Sequence, residues 1–426
     1  MTTFIELGLP HKLVDRLNGT GINAPTPIQE RAIPPALDGQ DVIGLAQTGT
    51  GKTLAFGLPL IARMQSYGRK PDQRTARGLV LAPTRELASQ ISVSLREQVD
   101  GTPFKIGLVV GGVSIGPQIK RLERGVDILV ATPGRLIDLM ERRALELNKT
   151  DFLVLDEADQ MLDLGFIHAL RKIAAWLPQD RQTMLFSATM PKQMSEIAET
   201  YLKNPVRVQV SPPGKAADKI AQSVHFIAKA EKTSLLIELL DKHRGEAAIV
   251  FARTKHGSER LMKALVKSGF AADSVHGNKS QGQRERAIKG FRGGTTMVLV
   301  ATDVAARGLD IPQVRHVYNY DLPNVAENYI HRIGRTARAG MDGAAAAFCS
   351  PDEVDELRAI QKLLKISIPI ASGRPWIGLD EPAKKTGGAR HRNGPPRNGG
   401  SQDKPGGGQR RRRRGPPRGK RSQKAA

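Results

Sequence analysis

The stretch Phe152-Leu153-Val154-Leu155-Asp156-Glu157-Ala158-Asp159 decides the fold: an apolar run that reads as a buried strand, followed at once by three acids in four residues. About a hundred residues upstream a second apolar run, Val42-Ile43-Gly44-Leu45, leads into Ala46-Gln47-Thr48-Gly49-Thr50-Gly51-Lys52-Thr53. This is a glycine-rich loop closed by Lys-Thr, with Ala46 standing where the strict phosphate-loop pattern has its first glycine. Such a loop offers backbone N–H groups and a lysine to phosphates and a hydroxyl to Mg²⁺. A carboxylate at the end of a neighbouring strand can hold the same metal. The pair of motifs therefore points to nucleoside triphosphate hydrolysis. The acids would also suit the first turn of a helix.

Further apolar runs end at Ala82, Val110, Ala131 and Phe186, with helical stretches between most of them. A second set lies near Val224–Ala228, Ala248–Ala252, Met297–Ala301, His316–Tyr320 and Ala344–Phe348. Strands alternating with helices predict two α/β blocks, each a mainly parallel sheet with helices on both faces. Ser211-Pro212-Pro213-Gly214 breaks regular structure and separates the blocks. The expected division is 1–210, a linker at 211–218, a second domain at 219–370 and a tail at 371–426.

Composition narrows the partners. The chain of 426 residues carries a net charge of +23. Of that, +14 falls in residues 382–426, which hold 15 Lys or Arg, one acid and the run Arg410–Arg414. This segment is too poor in apolar residues to offset its ordering entropy and is expected to be disordered. Its charge points to nucleic acid, although it would also solubilise the chain. No apolar run approaches the roughly 18–20 residues of a membrane span, and the N-terminus lacks a secretory pattern. The single cysteine, Cys349, follows an apolar run and reads as a small buried hydrophobe in a reducing, cytoplasmic setting.

In an open parallel sheet, ligands bind at the carboxyl ends of the strands. In the first block those ends carry Pro83-Thr84-Arg85-Glu86-Leu87, Gly111-Gly112, Thr132-Pro133-Gly134-Arg135 and Ser187-Ala188-Thr189. In the second they carry Arg253-Thr254, His276-Gly277 and Thr302-Asp303, which leads to Arg307-Gly308-Leu309-Asp310. His331 to Arg338, His-Arg-Ile-Gly-Arg-Thr-Ala-Arg, is expected at a helix start.

With these motifs in order, the chain resembles the bacterial DEAD-box ATP-dependent RNA helicases, close to the RhlE-like group, from Phe4 to about residue 365. The resemblance implies two tandem RecA-like P-loop domains. It also implies ATP and Mg²⁺ as cofactors, and single-stranded or short duplex RNA as partner. Gly21 to Gln29 resembles the adenine-reading segment, with Gln29 on the base and Phe4 supporting the pocket. Ile22 replaces the usual aromatic and can pack but not stack.

The phosphates fall to Gln47, Thr48, Gly49, Thr50, Gly51 and Lys52. The metal falls to Thr53 and Asp156, and the attacking water to Glu157. The second block would supply Arg335 and Arg338 as arginine fingers, three residues apart on one helix face, with Asp310 on the ribose and Arg307 near the base. His331 would tie it to Asp156–Asp159, and Ser187, Thr189 and Asp159 would couple hydrolysis to strand separation.

For RNA the matching residues are Pro83, Thr84, Arg85, Gly111, Thr132, Arg135, Arg253, Gln281, Arg284, Thr302 and Asp303. They are mostly hydroxyls, arginines and glycines, suited to phosphates and 2′-OH groups. With aromatics at only 4%, a base-stacking platform is disfavoured. Taken singly, Arg253 or Arg284 would pass for a surface ion-pair residue. Ala337, where glycine is commoner, is expected in a helical turn that suits alanine. Two rival readings share the frame: a translocating DNA helicase, and an ATP-gated RNA clamp or annealing scaffold. The basic tail would grip RNA without sequence choice; ribosome assembly and RNA degradation are both compatible settings.

Overall fold

The computed structural model describes residues 2–46, 49–68, 70–210, 220–306, 314–337 and 342–376. The expected linker at 211–218 and nearly all of the expected tail lie outside these residues.

Two seven-stranded, all-parallel sheets form two lobes. The first is built from β1 Val42–Leu45, β2 Ala76–Leu81, β3 Ile106–Val109, β4 Val126–Ala131, β5 Phe152–Leu155, β6 Gln182–Ser187 and β7 Val206–Gln209. The second is built from β8 Ile220–Phe226, β9 Ala248–Phe251, β10 Ala272–Val275, β11 Val298–Ala301, β12 His316–Asn319, β13 Gly343–Cys349 and β14 Ile370–Ser372. Their orders are β3-β4-β2-β5-β6-β1-β7 and β10-β11-β9-β12-β13-β8-β14. Strand for strand, the second repeats the first.

The inner strands read as continuous apolar runs because both faces are covered. Along β2 and β4, Val80, Ile128 and Val130 point into one layer. There they meet the helices Pro27–Leu37, Lys52–Gln65 and Arg85–Gln98. Leu79, Leu81 and Leu129 point into the other, against Pro133–Glu141, Ile167–Ala174 and Lys192–Tyr201. Close packing makes one glycine obligatory: a Cβ on Gly44 of β1 would fall 2.5 Å from the Phe186 ring of β6.

The topology places the chemistry. β6 lies between β5 and β1, so its end, Ser187, sits between Asp156 and the glycine-rich loop. Ala46 N–H donates to Ser187 O at 3.0 Å, closing that side of the loop.

Two expectations change. The helix containing His331 spans Ala326–Ile333, so His331 occupies its last turn, not its start. Arg335 lies in the turn beyond; Arg338, expected to share one helix face with it, is outside the described residues. Ala337 has φ +54°, a left-handed conformation rather than the helical turn expected. Regular structure is described up to Ser372. β14 runs to Ser372, and Trp376 Nε1 donates to Cys349 O at 2.9 Å while packing on the lobe's core.

Candidate active site and nucleic-acid interface

The nucleotide half is assembled in lobe 1. Gly51, at φ +91°, precedes the helix Lys52–Gln65. A side chain there would meet Gln29 Nε2 at 2.6 Å, so only glycine lets the loop close on this residue. Gln29 is itself held at both ends. Its carbonyl accepts from Thr26 N–H at 2.9 Å and its amide donates to Gly51 O at 3.0 Å. The sequence reading missed this second duty, which ties the segment before the helix Pro27–Leu37 to the phosphate loop. Phe4 is fully buried in the same core, and Ile22 packs on its edge.

Lys52 opens the next helix. Its side chain is buried, and its ammonium has no hydrogen-bond partner among the described residues. Leaving such a donor unsatisfied is costly, so the geometry fits an anion arriving there. Thr53 follows on the same turn, half-buried. Opposite stands Asp156, 2% exposed, whose Oδ1 accepts from Glu157 N–H at 3.0 Å. Burial pushes the Asp156 carboxyl up to about 7, against the pull of Lys52, with Glu157 and Asp159 adding to the rise. Buried oxygen donors of this kind suit a hard divalent cation. Glu157 sits at φ +50°, ψ +50°, a strained conformation for a non-glycine residue and a feature common at reactive positions.

The link from this site to the second lobe is traceable contact by contact. Asp159 Oδ2 accepts from Ala188 N–H at 3.1 Å, Thr189 N–H at 2.9 Å and Thr189 Oγ1 at 3.0 Å. Ser187 Oγ accepts from Asp159 N–H at 3.3 Å and donates to Thr189 O at 2.7 Å. His331 of lobe 2 brings Nε2 to 3.9 Å from the same Asp159 oxygen. Arg335 is buried, with Nε donating to His331 O at 3.3 Å. Gln47, Thr48, Arg307, Asp310 and Arg338 fall outside the described residues.

A separate cleft of about 530 Å³ collects the expected polynucleotide residues. Pro83, Thr84, Arg85, Gly111, Thr132 and Arg135 line it from lobe 1, and Arg284 lines it from lobe 2. Gly134, Gly277, Lys279 and Phe166, which the sequence reading did not assign, line it too. Gly112 has φ +72°, and a Cβ there would fall 1.7 Å from Arg85 Nη1; the bare backbone lets the guanidinium lie across it. Arg135 donates to Val113 O at 3.0 Å, yet its Nη1 is buried without a hydrogen-bond partner. Thr84 accepts from Leu87 N–H at 3.2 Å and so also caps its helix. Thr132 opens the helix Pro133–Glu141 without spending its hydroxyl on a cap.

The remaining residues are placed differently. Arg284 Nη2 lies 2.9 Å from Glu86 Oε1 of the other lobe, an ion pair not aligned as a hydrogen bond. Gln281 donates to Glu285 Oε1 at 3.0 Å on the same helix. Arg253 lines a second cleft in lobe 2 and donates to Glu353 Oε1 at 3.0 Å. Thr302 is buried at the end of β11. The Asp303 carboxylate is held by the buried Arg332, at 2.5 and 2.8 Å, so its side chain is committed within the lobe.

Comparison with known proteins agrees with this geometry. Residues 26–197 match the DEAD/DEAH box helicase family, and residues 231–340 match the helicase conserved C-terminal domain. The chain is 45% identical over 378 residues to the ATP-dependent RNA helicase CshA of Listeria monocytogenes, covering 88% of this chain and 71% of that one. Its fold is similar to Saccharomyces cerevisiae Dbp5 bound to RNA and ADP-BeF3, with TM-score 0.77 and 33% identity over 87% of this chain and 96% of that one. It is also similar to Mss116p bound to single-stranded RNA and AMP-PNP, with TM-score 0.80 and 30% identity over 88% and 80% of the two chains. The chain belongs to the DEAD-box family of ATP-dependent RNA helicases.

Proposed function

We propose that the protein is a bacterial helicase of the RhlE-like group that opens short RNA duplexes locally, without sequence preference, and works in the cytoplasm. The observation that carries this reading is convergence. Seven residues chosen for RNA line one two-lobe cleft, and a buried lysine without a hydrogen-bond partner faces paired acids elsewhere in lobe 1. Cys349 agrees with the compartment: it is buried, and burial raises its thiol to about 12, leaving it inert. No helix of the described residues is long and apolar enough to cross a membrane.

In this reading Lys52 grips the β- and γ-phosphates, and Gln29 reads the adenine with the donor and acceptor capacity left to its carboxamide. Thr53 and Asp156 are the Mg²⁺ ligands; bound there, the ion would neutralise developing phosphate charge. Glu157 takes a proton from the attacking water. Arg335 and Arg338 stabilise charge on the transferring group once the lobes close, with Arg307 and Asp310 on base and ribose. The Asp159–Thr189–His331 contacts carry closure from one lobe to the other.

Arg85, Arg135 and the hydroxyls of Thr84 and Thr132 grip the RNA backbone. Arg253, Gln281, Arg284, Thr302 and Asp303 complete the path in lobe 2. Arg253 and Arg284 exchange internal carboxylates for phosphates, while Asp303 acts by fixing the strand end rather than by touching phosphate. Opening three or four base pairs costs on the order of 5 kcal/mol, at about 1.4 kcal/mol per step. Binding energy supplies that much, so a duplex of about ten pairs then separates thermally and a long one re-anneals.

The test compares ATP hydrolysis with RNA and with DNA, alongside Glu157→Gln. RNA-selective stimulation, and a Glu157→Gln enzyme trapped on ATP and RNA without hydrolysis, are expected. Equal stimulation by DNA would move the reading to a DNA helicase. The basic tail should raise RNA affinity alone. If about six of its charges engage, deleting 382–426 flattens the salt slope by roughly four units and leaves basal hydrolysis unchanged.

A further inference from the structure

Lobe 2 carries a second constellation that nucleotide and RNA leave unused. It lies at the N-terminal ends of β9 and β12, the edge of the sheet opposite to Arg253 and Thr302. There a tight turn joins the helix Lys232–Asp241 to β9, and Glu246 N–H donates to His243 O at 3.0 Å. His243 and Glu246 therefore rise from one turn. β12 pairs in parallel with β9, and His316, its first residue, stands opposite Ala248. Arg315 N–H donates to Ala247 O at 3.0 Å and pins the approach.

These backbone contacts bring three side chains together. His316 Nε2 lies 2.6 Å from Glu246 Oε2. The His243 ring stacks on the His316 ring, with centroids 4.0 Å apart and planes 26° from parallel. One donor atom from each of the three lies within 4.8 Å of the other two, and all three residues are half-buried.

Two imidazoles and a carboxylate form a donor set for a borderline transition metal. Mg²⁺ and Ca²⁺ prefer oxygen alone. In a tetrahedral zinc site, nitrogen donors at 2.0–2.1 Å from the metal sit about 3.4 Å from one another. The two rings would have to splay, whereas the backbone is already in place. Burial lowers the His316 pKa and favours the neutral ring; a metal bound at Nε2 would displace the proton that now bridges to Glu246. The hydrogen bond from His316 holds the Glu246 carboxyl below its usual range, so it is ionised. One neighbour opposes a cation: Arg315 Nε is 3.8 Å from Glu246 Oε2, on a side chain exposed enough to swing away.

We propose that His243, Glu246 and His316 form a binding site for a divalent transition metal of the Zn²⁺ class, completed by water, which staples the turn before β9 to the start of β12. It is distinct in place and in chemistry from the oxygen-rich site around Asp156. Three protein ligands plus water is a common zinc arrangement. Its role is to stabilise lobe 2 through preferential binding to the folded state.

The test uses the full-length, untagged protein without nucleotide or Mg²⁺, titrated with Co²⁺ alone, followed by Zn²⁺ in competition. Visible Co²⁺ absorption saturating at one ion per chain, displaced by Zn²⁺ and accompanied by a rise in thermal midpoint, is expected. His316→Ala and Glu246→Gln should each weaken binding roughly tenfold or more, with RNA-stimulated hydrolysis retained. Arg315→Gln removes the competing cation and should tighten binding, a sign that a poorly folded variant cannot mimic. The proposal is overturned if no such absorption develops, if His316→Ala keeps it, or if Arg315→Gln weakens it.

Discussion

The two lobes share one strand order, and each buries a lysine at the first turn of the helix that follows its first strand. In lobe 1 this is Lys52, whose ammonium has no hydrogen-bond partner among the described residues. In lobe 2 it is Lys232, fully buried, donating to Tyr320 O at 2.8 Å and Glu353 Oε2 at 2.5 Å, with Asp321 at 3.7 Å. Glu353 also accepts from Leu322 N–H, Ser350 N–H and Arg253. Lobe 2 thus supplies, from its own chain, the anion that lobe 1 leaves to a ligand. Two lobes of one topology thus differ in the charge balance around the equivalent lysine, and the topology alone does not decide what each can bind.

This contrast can be broken at several points. The largest effect is expected from Lys52→Ala, which should lower ATP hydrolysis by about 10²–10³-fold or more with little loss of fold stability, measured by steady-state kinetics and thermal melting. Glu353→Ala should do the reverse. A buried lysine stripped of its partner costs about 3–5 kcal/mol, read as a denaturant midpoint shift assigned to lobe 2. The pair Lys232→Met with Glu353→Leu should recover most of that loss, since a buried ion pair exchanged for apolar volume is often neutral. A double variant no better than Glu353→Ala would mean that the ion network holds more than Lys232.

Two smaller effects concern backbone. Gly112→Ala should cost about 1–2 kcal/mol in stability and weaken RNA binding measurably, because its Cβ displaces the Arg85 guanidinium. Ala337→Gly should stabilise lobe 2 by about 0.5–1 kcal/mol, relief of the left-handed strain exceeding the entropy glycine adds to the unfolded chain.

Much of this was legible in the sequence for definite reasons. Inner strands such as Phe152–Leu155 and Val298–Ala301 are covered on both faces, so their apolar runs stand out. Two of the edge strands did not. β10, with Asp273 and Ser274, and β7, with Arg207 and Gln209, are half-covered and carry polar residues, so neither reads as an apolar run. Motif residues such as Lys52, Asp156 and Arg85 were legible because their chemistry restricts residue type. Their local geometry was not. Left-handed Glu157 and Ala337 carry no residue that announces a positive φ. The Lys232–Glu353 pair joins positions 121 residues apart, and only the fold brings them together. The same holds for Arg332, whose grip on Asp303 was invisible beside the arginines expected at phosphate.

The central claim is that lobe 1 holds the nucleotide and lobe 2 completes its site only when RNA draws the lobes together. Titrating a non-hydrolysable ATP analogue with and without single-stranded RNA tests it directly, because coupling between two ligands must be reciprocal. The account predicts at least about tenfold tighter nucleotide binding with RNA present, a coupling free energy of about 1.4 kcal/mol, and loss of that gain in Arg335→Ala. Identical affinity with and without RNA, or coupling that survives Arg335→Ala, would contradict it.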